Sequence, residues 1–138
     1  MGTENYVRIA YGTGHLTVNL PVEAEPTIIR KPRIKKIPAK KDAILNALAN
    51  PISIERLAEG AIGKKTACIL ICDITRPVPN YLFLRPLIEE LITAGVPKSG
   101  ITILVATGLH RPNEGKELRA LVGDDWVLEN IKVENHFA

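Results

Sequence analysis

Aromatic residues are scarce in this 138-residue chain. One Trp, three Tyr and two Phe make up 4% of it, against 46% hydrophobic residues overall. Aliphatic side chains must therefore build the core, and base-stacking platforms of the kind that single-stranded nucleic acid requires are missing. No apolar run is long enough to cross a bilayer. The opening residues are polar, without the pattern of a secretory leader, and Tyr6 stands where a myristoylation motif needs Ser or Thr. No phosphate-binding Walker loop and no G-x-G-x-x-G fingerprint occur, and no serine sits at a strand-to-helix elbow, which argues against a Ser-His-Asp hydrolase. Cysteine is nearly absent: Cys68 and Cys72 are the only two. On a strand they lie about 13 Å apart on one face, too far to bridge. They read as small buried hydrophobes of a protein from a reducing, cytoplasmic compartment.

Charge is unevenly spread. The net value is +3, yet seven of the 18 basic residues lie in the acid-free stretch Arg30–Lys41, so the rest of the chain holds 11 basic residues against 15 acidic ones. The stretch contains Pro32 and Pro38 and has no periodicity. It reads as an extended, solvated connector. Nucleic-acid contact is the rival reading and is not expected, because neither interleaved aromatics nor a binding motif accompanies the charge.

The length suits one domain, expected to divide into a hairpin and basic connector (1–40) and a β-α-β-α-β unit (41–138). "YVRIAYG" and "HLTVNLP" alternate around a turn, and "PTIIRKP" offers a short strand bounded by prolines. "KKDAILNALANP" predicts a helix with Ile44, Leu45 and Leu48 on one side, ended by Pro51. "SIERLAEGA" predicts another, with Ser53 as N-cap and Gly60 just past the end. "TACILICD" is a continuous apolar run, as in a strand covered on both faces. "YLFLRPLIEELITAGV" has helical spacing, with Pro86 in its first turn or at a kink. "ITILVATG" is a second apolar strand, "NEGKELRALVGDDW" a polar helix and "NIKVENHF" a last strand. The fold class is therefore α/β: an N-terminal β-hairpin region, then a Rossmann-like parallel sheet with flanking helices.

In such sheets ligands bind outside the carboxyl ends of the strands. Two strands here end in unusual chemistry, Asp73-Ile74-Thr75-Arg76-Pro77-Val78-Pro79-Asn80 and Ala106-Thr107-Gly108-Leu109-His110-Arg111-Pro112. Asp73, Thr75, Arg76, Thr107, His110 and Arg111 are expected to converge. Arg76 can grip a carboxylate or phosphate through two parallel hydrogen bonds. Asp73 can orient Arg76, a ligand hydroxyl or a histidine. His110 can exchange a proton. Gly108 permits close backbone approach, and the following helix N-terminus favours an anion. Each has a plainer role too: Asp73 and Thr75 as turn caps, Arg76 in a surface ion pair, His110 as a loop histidine. Two such clusters at equivalent places in one sheet favour a site. His15 and His136 are given structural or surface roles.

At these residues the sequence resembles the nickel-dependent lactate racemase family. "DITRPVPN" (73–80) and "ATGLHRP" (106–112) carry the likeness, supported by "YGTGHLTVNLP" (11–21) and "NPISIERLAEGA". The resemblance implies an isomerase that interconverts enantiomers of lactate or another 2-hydroxy acid. A nickel-pincer nucleotide would accept the α-hydride while a base takes the hydroxyl proton. His110 would be the first of two acid/base histidines. Arg76 would hold the substrate carboxylate, with Asp73 and Thr75 lining the same pocket. Thr107, Gly108 and Arg111 would face the cofactor. The second catalytic histidine, the cofactor-bearing lysine and the metal-ligating histidine of the family lie beyond the equivalent of residue 138. The chain is thus expected to be the N-terminal domain of a two-domain enzyme. Without its C-terminal partner it should bind neither nickel nor cofactor and should not turn over. A small 2-hydroxy acid and that C-terminal domain are its expected partners. A non-enzymatic domain gripping a small carboxylate or phosphate is the alternative.

Overall fold

The computed structural model describes residues 5–138; the polar opening Met1–Glu4, in which no leader or acylation pattern is read, lies outside them. Contacts divide the chain into two compact units, one running up to Lys35 and the other from Lys36 onward. In the first, β1 (Tyr6–Tyr11) and β2 (Gly14–Asn19) form an antiparallel hairpin, with Tyr11 opposite Gly14 and Tyr6 opposite Asn19. The expected strand in "PTIIRKP" does not form. Pro26 and Pro32 lack the N–H groups that a ladder needs, and Ile29 stays 91% exposed.

The second unit contains α1 (Lys40–Ala49), α2 (Leu57–Gly60), β3 (Ala67–Cys72), α3 (Asn80–Thr93), β4 (Ile101–Ala106), α4 (Gly115–Val122), α5 (Asp125–Asn130) and β5 (Lys132–Asn135). Helix α2 is shorter than expected. Ser53 has φ 57°, whereas an N-cap needs extended backbone. Arg56 takes that position, and its N–H donates to Glu59 Oε2 at 3.2 Å. The expected polar helix over 113–126 is two helices. Gly123, at φ 68°, closes α4, and Asp124 then caps α5 by accepting from Val127 N at 3.2 Å. Pro86 lies inside α3, which continues through it.

The three strands are parallel, in the order β3-β4-β5. Residues 69, 71, 101, 103 and 105 share one face by the period-2 rule. They pack into a single cluster with Leu84, Ile88 and Leu91 of α3, Leu121 and Val122 of α4, and Val127 of α5. Helices α3, α4 and α5 thus cover the same side, as expected when crossovers of one hand step in one direction. This corrects the sequence expectation for β3. Its other face is open, with Cys68 and Cys72 exposed and Leu70 at 68% exposure. The apolar run resembled a doubly covered strand, but the second covering layer is absent among the described residues. The cysteines are therefore not core residues.

Candidate active site

The last β3–β4 register pair is Cys72 opposite Ala106. Beyond it both segments leave the sheet, and their loops line an open cleft of about 340 Å³ formed by Cys72, Asp73, Arg76, Ala106, Thr107, Gly108, Leu109 and His110.

Asp73 continues the inward-facing register of Ile71, so it is buried, with 4% of its surface exposed. A buried carboxylate needs partners, and Asp73 has them on both oxygens. Oδ1 accepts from the Thr75 hydroxyl at 2.6 Å and the Thr75 N–H at 3.3 Å, forming an Asx turn. Oδ2 lies 2.5 Å from His110 Nδ1. The Thr75 hydroxyl, then the His110 imidazole, hold the Asp73 carboxyl below its usual range. Asp73 is therefore an acceptor only, and Nδ1 must be the donor. That leaves Nε2 as the imidazole nitrogen available for proton exchange. The His110 side chain is 53% exposed, so solvent and small molecules reach it.

Arg76 follows the same turn, its N–H donating to Asp73 O at 3.1 Å. Its guanidinium has no ion-pair partner among the described residues. A free guanidinium in a cleft beside an oriented imidazole suits a small carboxylate whose neighbouring hydroxyl can lose a proton. Gly108 sits at φ 57° with nothing within 4 Å of an added Cβ. Glycine is needed there for the turn, closed by His110 N donating to Thr107 O at 2.9 Å, and not for close approach.

The expected convergence is partial. Asp73, Arg76, Thr107, Gly108 and His110 line one cleft, and Thr75 supports it through Asp73. Thr107 is buried, and its hydroxyl donates to His136 O. Arg111 turns away toward α4, where it pairs with both oxygens of Glu117 at 2.6 and 2.8 Å. The helix after the second strand begins only at Gly115, and its first turn already carries the Glu117 carboxylate. Arg111, then Asn113, hold that carboxyl below its usual range. Three polar residues passed over in the sequence matter here: Asn113, Glu117 and Asn135. An N-E-G tripeptide reads as a helix start, and nothing in it signals that Asn113 is buried. As for a metal, no three His, Cys, Asp or Glu side chains converge among the described residues, and His110 Nδ1 is taken by Asp73. These residues do not fit as nickel ligands.

The open parallel α/β sheet carries at its strand ends a carboxylate-oriented imidazole and a guanidinium without an ion-pair partner among the described residues, the chemistry of a candidate small-anion site. Comparison with known proteins narrows this. Residues 11–138 match the model of the lactate racemase N-terminal domain, and the chain belongs to that family. It is similar to the lactate racemase of Thermoanaerobacterium thermosaccharolyticum, 37% identical over 123 residues that cover 88% of this chain and 29% of that protein. It is also similar to the lactate racemase of Lactiplantibacillus plantarum, 35% identical over 98 residues, covering 71% of this chain and 23% of that one. The solved lactate racemase apoprotein from T. thermosaccharolyticum superposes with a TM-score of 0.69 at 36% identity, over 96% of this chain and 30% of that structure. The chain spans less than a third of the length of these relatives. Among the described residues no helix is long and apolar enough to cross a membrane.

Proposed function

We propose that this chain is the N-terminal domain, residues 1–138, of an isomerase that interconverts the enantiomers of a 2-hydroxy acid such as lactate. The observation that carries the proposal is the Asp73–His110 pair in one cleft with the unpaired Arg76. Arg76 grips the substrate carboxylate through two parallel N–H···O bonds, which places the α-hydroxyl toward the imidazole side. His110 Nε2 takes the hydroxyl proton, and Asp73 stabilises the imidazolium that results, as carboxylates do behind catalytic histidines. Thr75 keeps Asp73 ionised and aimed. The nickel-pincer nucleotide implied by the family resemblance would supply the acceptor and donor of the α-hydrogen. Thr107 and Gly108 line the cleft that such a nucleotide would face, Thr107 with its hydroxyl already donated to His136 O. Its metal ligands and a second acid/base group come from outside this chain, so the 138 residues alone do not turn over. The two exposed, unbridged cysteines accord with a reducing cytoplasm.

The test is a chimera in which residues 11–138 replace the corresponding region of the T. thermosaccharolyticum lactate racemase. Racemisation is expected with the parent sequence and lost with His110→Ala. Arg76→Ala is expected to abolish substrate binding, with Arg76→Lys recovering part of it. A chimera that folds and racemises equally well with His110→Ala overturns the assignment. A small-carboxylate or phosphate binder with no chemistry, the reading that Arg76 alone would support, requires that the chimera bind lactate but never racemise it.

A further inference from the structure

The sheet's hydrogen bonding ends at Cys72 and Ala106, yet Asp73 and His110, on separate loops beyond it, meet at 2.5 Å. Something must hold those loops in register. Among the described residues, only one side-chain bond joins them besides the Asp73–His110 contact: Ile74 N donates to Asn113 Oδ1 at 3.1 Å. Ile74 lies between Asp73 and Thr75, at the middle of the Asx turn. Asn113 is 2% exposed, and all four of its polar groups are used. Its Nδ2 donates to Glu117 Oε2 at 3.0 Å. Its backbone N donates to Asn135 Oδ1 at 2.8 Å, and its backbone O accepts from Asn135 Nδ2 at 3.0 Å. The amide orientation is fixed chemically, since a backbone N–H can only donate and the ionised Glu117 can only accept.

We infer that Asn113 is a positioning residue: it ties the Asp73–Arg76 turn to the His110 loop, α4 and the end of β5, and so sets the Asp73–His110 pair. Its importance for turnover rests on the proposed function; its effect on the pair does not. No other natural side chain of this size carries its acceptor and its donor on two separate atoms, one for Ile74 N–H and one for Glu117. Aspartate keeps the shape and the acceptor but turns its second oxygen against the Glu117 carboxylate. Glutamine at 117 would remove that repulsion and offer a donor, giving up one of the two bonds to Arg111.

The experiment is performed on the 138-residue chain. Long-range ¹⁵N–¹H spectra report which nitrogen of His110 carries the proton, and urea denaturation reports stability. The parent is expected to show the Nδ1–H tautomer. Asn113→Asp should lose that preference and yield a mixture, Glu117→Gln should retain it, and Asn113→Asp with Glu117→Gln should recover it. Asn113→Ala is expected to behave like Asn113→Asp; if it fails to fold, the aspartate pair carries the test. An Asn113→Asp protein with lowered stability but an unchanged His110 tautomer would make Asn113 merely structural and overturn the inference. So would a double variant that stays mixed. Neither result depends on racemase activity, so failure here is distinct from failure of the functional proposal.

Discussion

Leu84 and Leu70 form a controlled pair for testing the one-sided sheet. Leu84 is fully buried between α3 and the strands, whereas Leu70 points from the opposite face of β3 with 68% of its surface exposed. Truncating a buried leucine to alanine costs about 2–5 kcal/mol, through lost transfer energy and the cavity left behind. Leu70 retains roughly a third of the burial of a core leucine, whose complete burial contributes about 1.5–3 kcal/mol. Leu70→Ala should therefore cost about 0.5–1 kcal/mol. Alanine favours helix over leucine only slightly, so propensity does not rescue position 84. The assay is equilibrium urea unfolding of the 138-residue chain with a common m-value. The midpoint should fall several-fold further for Leu84→Ala than for Leu70→Ala. If Leu84→Ala leaves too little folded protein, Ile103→Val, at the centre of the same buried face, should still cost about 0.5–1.5 kcal/mol. Equal losses at positions 70 and 84 would refute the reasoning, because they would mean that the Cys68–Leu70–Cys72 face is packed in solution.

Asp73 should leave a pH signature. Its folded-state pKa lies below the ordinary value of 3.8, chiefly because of the Thr75 hydroxyl and then His110. The folded state therefore holds fewer protons than the unfolded one across that interval, and stability rises with pH there. The contribution is fully present above the ordinary value and is lost as pH falls through the lowered one. Urea midpoints measured downward from about pH 5 should fall less steeply for Asp73→Asn than for the parent; identical slopes would rule out the pairing. Gly108→Ala should cost about 1–2 kcal/mol through left-handed backbone strain alone, with the surrounding backbone amide shifts confined to the loop. A substitution that perturbs distant core resonances would show a packing role that the open space around Gly108 does not allow.

Much of this was legible from residue order. The two β-α-β segments follow from hydrophobic periodicity, and the placing of Asp73, Arg76 and His110 in one cleft follows from the rule that strand ends hold ligands. The misses are instructive. "TACILICD" has the composition of a strand buried on both faces, but composition records what a segment tolerates, while exposure depends on which layers are there to cover it. "PTIIRKP" has β-branched residues without a ladder partner, and propensity alone supplies no hydrogen bonds. Ser53 has good capping chemistry in a backbone conformation that cannot use it. Arg111 looked like a ligand contact because its attraction to Glu117, six residues on, required knowing where α4 begins. Asn113 was invisible for the same kind of reason, since its partners come from residues 74, 117 and 135.

The open edge of β3 has a geometric consequence. With α3, α4 and α5 all on one side and the strands advancing away from β3, a parallel strand that came after β5 and joined this free edge would have to arrive by a return crossover over the bare face. Strand order would then reverse beside β3. A crevice would open at that reversal, directly next to the turn that holds Asp73 and Arg76. The seam where a second run of chain could be stitched on is thus the same seam at which a substrate would be held, so growth of the sheet and completion of the cleft become one architectural event.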